Sequence, residues 1–191
     1  LDSLADVITF GLAPALLAWM WGFRQLPVFL SSTEVVGKII QFGAIASFLF
    51  LMAGTSRLAR FNITHNPQPS NPGRPGKKYF VGMPIPAGAG VIAAVVHFTE
   101  GEPIAAWWTS ITWLLMIVMV AYLMVSTWRF YSFKDINLRR SVPFWALLLV
   151  VFAVILISTH PPTVLFLLFV AYSLSGYVVW VWTWRKKRSI A

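Results

Sequence analysis

Residues 1–21 read LDSLADVITFGLAPALLAWMW, in which two acidic residues precede a long apolar run. A run of this length is typical of a helix that crosses a bilayer, because about 20 residues span the hydrocarbon core. Asp2 and Asp6 are four residues apart, so a helix puts both carboxylates on one face. Two interpretations follow: a cation site whose oxygen ligands suit Mg²⁺, Mn²⁺ or Ca²⁺, or a solvated helix start whose acids favour the positive end of the helix dipole. The spacing alone leaves both open.

The composition indicates a membrane protein. Of 191 residues, 58% are hydrophobic and 11% are charged, so a water-soluble domain of this chain would lack polar residues to cover its surface. We expect an all-α fold, a polytopic transmembrane helix bundle that forms one domain over 1–191. The chain has no Cys, which excludes disulfides and thiolate chemistry within it. Apolar runs of sufficient length predict about six membrane-spanning helices, at roughly 4–23, 35–56, 80–98, 107–128, 143–159 and 163–184.

Positive charge lies in alternate loops between these spans. Five Lys and Arg lie in the loop 57–79, four in the loop after the fourth span and four in the tail 185–191. Thirteen of the 15 basic residues therefore share one side, which the positive-inside rule places in the cytoplasm. The net charge of +9 is thus a topology signal that also attracts anionic lipid headgroups, and it argues against nucleic-acid binding. Asp2 and Asp6 then lie at the cytoplasmic face of the cell (inner) membrane, on the side of the basic loop 57–79 and the basic tail 185–191.

Arg57, Arg60 and Asn62 lie where the second predicted helix meets the cytoplasm. The two arginines are three residues apart and share a helix face. An Arg fork can bind a carboxylate or phosphate through two hydrogen bonds, and the Asn amide offers both donors and an acceptor. We expect these side chains to bind substrate; the alternative is that the arginines only set the topology. Acids able to hold cations and guanidinium groups able to bind phosphate, on one membrane surface, suit phosphoryl chemistry.

Three strings resemble the CDP-alcohol phosphotransferase family in order and spacing. They are LDSLAD continuing into FGLAPA within 1–15, ARFN at 59–62 and GMPIPA at 82–87. The family motif begins D-x-x-D-G-x-x-A-R and ends G-x-x-x-D-x-x-x-D, and Asp2 and Asp6 match its last two aspartates. No cleavable signal peptide is evident, and the rest of the motif would precede Leu1, so we expect the chain to be truncated at its N-terminus. Within the family, the strings are most similar to the branch that uses L-serine as acceptor.

The resemblance implies an enzyme of phospholipid biosynthesis. A phosphatidyl group would pass from CDP-diacylglycerol to L-serine, giving phosphatidylserine and CMP. Asp2 would be a metal ligand and Asp6 both a ligand and the general base, with two divalent cations, Mg²⁺ or Mn²⁺, in the complete site. Arg57, Arg60 and Asn62 would bind substrate. Without the first two aspartates of the motif, the chain by itself should be inactive. Its oligomeric state stays open, with a homodimer among the alternatives.

Two other functions are compatible with parts of the pattern. A related phosphatidyltransferase with a glycerol-phosphate or inositol-phosphate acceptor would need more pocket cations for the acceptor phosphate. A membrane transporter would use paired acids as a cation path, and it predicts ionisable residues or broken helices near the bilayer midplane. The acids here lie at one surface instead, which favours the transferase.

Overall fold

The computed structural model describes residues 2–26, 33–63, 79–131, 148, 151–152, 156 and 158–188. Two short strands, β1 (Tyr79–Val81) and β2 (Arg129–Tyr131), pair antiparallel. Most of the described chain is helical and comprises α1 (Asp2–Arg24), α2 (Thr33–Ile63), α3 (Ile85–Phe98), α4 (Trp107–Val125) and α5 (Pro161–Arg188). All of these except α3 are long and apolar enough to cross a membrane, and α3 is a shorter apolar helix. The prediction of an all-α, polytopic membrane bundle is confirmed, and the chain is an integral membrane protein.

The helix boundaries differ from the predicted ones in two places that matter for function. Helix α2 was expected to end near residue 56 but continues to Ile63. The third helix was expected from residue 80 but begins at Ile85, after Pro84 in an extended conformation (φ −58°, ψ 141°). Proline disfavours a helical conformation at the residue before it, which keeps Met83 out of the helix. Tyr79–Val81 forms a strand that pairs with Arg129–Tyr131. Most of the predicted span 143–159 lies outside the described residues.

Small residues allow the helices to approach closely. A Cβ atom on Gly22 of α1 would lie 2.2 Å from the Trp113 ring of α4, and one on Gly43 of α2 would lie 2.3 Å from the Phe23 ring. Larger apolar side chains such as Leu16, Phe42 and Leu115 point outward. Small residues where helices meet, and large apolar side chains on the outer surface, are typical of a bundle in lipid, where close van der Waals contact rather than the exclusion of water holds helices together.

The two ends of the bundle are connected differently. At one end, the Trp21 indole donates to the Glu102 carbonyl at 2.8 Å, and the rings of Phe98 and Phe166 stack with centroids 4.9 Å apart. At the other end, β1 pairs with β2, and the Trp128 ring lies 5.8 Å from that of Tyr177. The end with the strand pair also contains the start of α1 and the end of α2. The described helix ends therefore fall into two groups, one at each end of the bundle. The alternation of basic and non-basic loops along the sequence predicts the same two groups.

Helix α1 is not a uniform α-helix. It is α-helical over Asp2–Asp6 and Ala13–Trp19, and it has wider π-helical turns over Val7–Leu12 and Met20–Arg24. In the first wide turn, the Ala13 amide donates to the Ile8 carbonyl, five residues back rather than four. Pro14 follows and has no N–H to donate to the carbonyl four residues earlier, which favours an interrupted α-helical ladder. The sequence predicted the extent of this helix but not its wide turns.

Candidate active site

The two aspartates occupy the first turns of α1. Asp2–Asp6 is α-helical, so their spacing of four residues puts both carboxylates on the same side, as predicted. Asp2 is exposed and Asp6 is half-buried. Within the described part of the chain, neither carboxylate takes part in a hydrogen bond or an ion pair. Replacing either one by Asn therefore breaks no hydrogen bond or ion pair between described residues.

Ser3 connects these aspartates to α2. The Asn62 side-chain amide donates a hydrogen bond to the Ser3 hydroxyl at 2.9 Å. Ser3 lies between Asp2 and Asp6 in the chain, and Asn62 lies in the last turn of α2. The structure thus brings the predicted substrate-binding Asn62 beside the predicted metal ligands. The Ser3 hydroxyl that makes this connection was not predicted.

Arg60 and Arg57 share α2 but lie in different surroundings. Arg60 is exposed, one turn before the end of the helix and two residues before Asn62. Arg57 is half-buried, and its Nη2 is 3.5 Å from the Gly82 carbonyl, at the upper limit for a hydrogen bond. Arg57 therefore contributes to packing between elements, whereas Arg60 is exposed in the last turn of α2.

Gly82 forms the turn that meets Arg57. Its φ of +75° lies in the left-handed region, which glycine adopts without steric cost. Its amide donates to the Trp128 carbonyl at 2.8 Å while its own carbonyl faces Arg57. The turn thus joins the start of α3 and the segment after α4 to α2. A left-handed glycine between a strand and a helix was not evident from the sequence, where Gly82 was interpreted as part of a helix start.

The donor chemistry at the start of α1 fits a divalent cation of the Mg²⁺ or Mn²⁺ type. Asp2 and Asp6 supply hard carboxylate oxygens, the ligand type that these ions prefer. Among the described residues, no three Asp, Glu, His or Cys side chains cluster closely enough to hold a metal ion. Asp2 and Asp6 can therefore supply only part of a coordination sphere, and substrate phosphate, water or further residues must complete it.

Comparison with known proteins identifies several similar ones. The chain is similar to a CDP-diacylglycerol–serine O-phosphatidyltransferase of Helicobacter pylori, with 34% identity over 190 residues that cover 94% of this chain and 66% of that protein. Proteins of the same name from Bacillus subtilis and Saccharomyces cerevisiae are 31% and 35% identical, over 70% and 51% of this chain. The chain spans just under two thirds of the length of the H. pylori protein and 58% of the B. subtilis one. No family model matches the chain.

Proposed function

Because the chain belongs to the family of CDP-diacylglycerol–serine O-phosphatidyltransferases, we propose that the protein containing it makes phosphatidylserine from CDP-diacylglycerol and L-serine. The observation that carries this proposal is the similarity to the H. pylori protein over 94% of the chain. The geometry supports it, since the Asn62 amide of α2 contacts Ser3 in the aspartate-bearing first turn of α1. Arg60 is exposed in the same last turn of α2 as Asn62. A diacyl donor with a charged head requires a site at such a boundary between lipid and water.

In the proposed reaction, the serine hydroxyl attacks the phosphorus of CDP-diacylglycerol that carries diacylglycerol. The bond between that phosphorus and the bridging oxygen of CMP breaks, and CMP leaves with the electron pair. We assign Asp6 as the general base that accepts the serine hydroxyl proton. Asp6 suits this role because it is half-buried and has no ion pair among the described residues. Phosphatidylserine and CMP are the products.

Asp2 and Asp6 are proposed as ligands of a divalent cation, Mg²⁺ or Mn²⁺. When bound, two such ions would offset the charge of the diphosphate and of the leaving CMP. The family motif has two further aspartates before the pair that matches Asp2 and Asp6. We propose that residues upstream of Leu1 in the whole protein supply them. The active protein is then longer than this chain.

The end of α2 is the proposed acceptor pocket. Serine carries a carboxylate and an ammonium, so a pocket that selects it requires a fixed cation for the carboxylate. Arg60 is our candidate, because it is exposed and lies in the last turn of α2, the turn whose Asn62 contacts the aspartate-bearing turn of α1. Asn62 and Arg57 complete the proposed binding set. Arg57 would act from the less exposed position beside the Gly82 turn.

The charge pattern gives the proposed orientation, in which this site faces the cytoplasm across the cell membrane. Soluble serine and the CMP product are then exchanged with the cytoplasm. The donor and the product lipid stay in the bilayer.

Comparing acceptors tests the proposed function. The full-length protein should be supplied with CDP-diacylglycerol, a divalent cation and one acceptor at a time: L-serine, glycerol 3-phosphate or inositol phosphate. We expect lipid product only with serine, in amounts equal to the CMP released. Product from a phosphorylated acceptor and none from serine would assign the chain to a different branch of the reaction.

A further inference from the structure

The buried face of α1 repeats every four residues. After Ser3, its buried or half-buried positions come in adjacent pairs, and Trp21 is the one further buried position within the helix. The pairs are Asp6 with Val7, Phe10 with Gly11, Pro14 with Ala15, Ala18 with Trp19, and Gly22 with Phe23. A regular α-helix repeats every 3.6 residues, so its buried stripe would drift around the axis over this length.

The wide turns of α1 account for this repeat. Ser3 to Phe23 covers five repeats of four residues, or 20 residues, whereas five turns of a regular α-helix take about 18. Each π-helical turn accommodates about one residue more than an α-helical turn. The two π-helical segments, Val7–Leu12 and Met20–Arg24, therefore supply the two extra residues. The geometry of the backbone and the burial pattern of the side chains agree.

The first wide turn sets the direction of the aspartates. One residue of α-helix corresponds to about 100° of rotation. Suppose that Val7–Leu12 were a regular α-helix and that Ala13–Trp19 kept its present packing. The first turn of α1 would then be rotated about the helix axis by about 100° relative to its present direction. Leu4, now 61% exposed, would face the bundle, and the Asp2 and Asp6 carboxylates would point toward lipid.

We propose that the π-helical turn Val7–Leu12 is a positioning element of the active site, which turns Ser3 and Asp6 toward the end of α2. This inference rests on the proposed function, because it assigns the turn a role in the same site. Beyond the turn, α1 is fixed to α4: the Trp113 indole donates to the Ala18 carbonyl at 3.0 Å, and the Ser110 hydroxyl donates to the Gly22 carbonyl at 2.9 Å. The turn therefore determines the orientation of the aspartates relative to a segment that cannot rotate with them.

A cross-linking comparison in the full-length protein tests the orientation without changing the helix length. This chain contains no Cys, so once any cysteine elsewhere in the protein is replaced, cross-linking can be assigned to the two introduced thiols. Asn62→Cys is combined with Ser3→Cys or with Leu4→Cys and treated with a short bifunctional thiol reagent. We expect the Ser3 pair to react and the Leu4 pair to react at least tenfold more slowly. Faster reaction of the Leu4 pair indicates a regular α-helix and overturns the proposal.

Two changes of length at one lipid-facing position test the role of the turn in catalysis. Deleting Thr9, which is exposed, removes the extra residue and lets a regular α-helix keep the aspartates in their present direction. Inserting one Ala between Ile8 and Thr9 adds a residue and rotates them by about 100°. We expect the deletion to keep serine-dependent turnover within about tenfold of the wild type. The insertion should lower turnover about 10²–10⁴-fold, as loss of a positioned base does.

The Ser3 pair should cross-link in the deletion variant and not in the insertion variant. Cross-linking of Phe98→Cys with Phe166→Cys, whose rings are in contact, shows in each variant that α3 and α5 have assembled. Equal loss of turnover in the assembled deletion and insertion variants would mean that any change in the length of α1 abolishes activity. That result would refute the positioning role of the turn. If the Ser3→Cys, Asn62→Cys variant of wild-type length cross-links as expected but the wild type makes no phosphatidylserine, the orientation stands and the proposed function fails.

Discussion

Replacing Arg60 by Lys in the full-length protein should weaken serine binding far more than liponucleotide binding. The change keeps the positive charge and removes the planar fork, which gives a carboxylate two hydrogen bonds where an ammonium acts as a point charge. In the structure Arg60 is exposed at the end of α2, so its substitution leaves the core of the bundle intact. An effect on the serine KM would therefore report on recognition of the acceptor.

The size of the effect follows from the exposure of Arg60. A hydrogen bond to a charged group contributes about 1.5–3 kcal/mol, which corresponds to about tenfold to over a hundredfold in affinity. Solvent screens an exposed group, so we expect the lower end of this range, about a tenfold rise in the KM for serine. The KM for CDP-diacylglycerol should change less than about twofold.

Steady-state assays of CMP release, with each substrate varied in turn, measure both KM values. Arg24→Lys is a matched control, since Arg24 is also exposed but lies at the end of α1 that is far from Asp2 and Asp6. It should alter neither value. A rise in the KM for CDP-diacylglycerol with an unchanged KM for serine would show that Arg60 binds phosphate and that the serine pocket lies elsewhere.

Three further predictions address the metal, the topology and the packing. Asp2→Asn should raise the Mg²⁺ or Mn²⁺ concentration that gives half-maximal rate, and a cation titration identical to the wild type would contradict its role as a ligand. A thiol at Glu100 should react only from outside the cell and one at Arg74 only from the cytoplasm; the reverse pattern would invert the proposed orientation. Gly22→Ala should lower stability by about 1–3 kcal/mol, because its Cβ would overlap a tryptophan ring of α4, whereas Gly37→Ala, with nothing within 4 Å, should not lower the melting temperature in detergent.

The membrane bundle and the place of the aspartates could be predicted because they depend on local patterns. Apolar runs and loop charges determine which segments cross the bilayer and which ends share a side. The spacing of Asp2 and Asp6 needs only a helical turn to bring the carboxylates together. Topology predicted only that Asn62 and the aspartates lie at the same end of the bundle, and the hydrogen bond between Asn62 and Ser3 agrees with that placement.

The wide turns and the Gly82 turn depend on contacts between segments distant in the chain. A repeat of four residues in α1 is visible only once burial is known, because its outward positions are as apolar as its inward ones in a membrane helix. The left-handed turn at Gly82 is held by the Trp128 carbonyl, 46 residues further along the chain. A strand of three residues also carries too few residues to form a recognisable pattern.

Phosphatidylserine formation by the Asp6→Asn variant of the full-length protein tests the central claim most directly. The substitution preserves the shape of the side chain and removes its basicity, and it breaks no hydrogen bond or ion pair between described residues. With CDP-diacylglycerol, L-serine and Mg²⁺ or Mn²⁺ supplied, the wild type should release phosphatidylserine and CMP in equal amounts. The variant should do so about 10²–10⁴ times more slowly while still binding CDP-diacylglycerol. Turnover of the variant close to that of the wild type would contradict the assignment of the reaction to this aspartate pair.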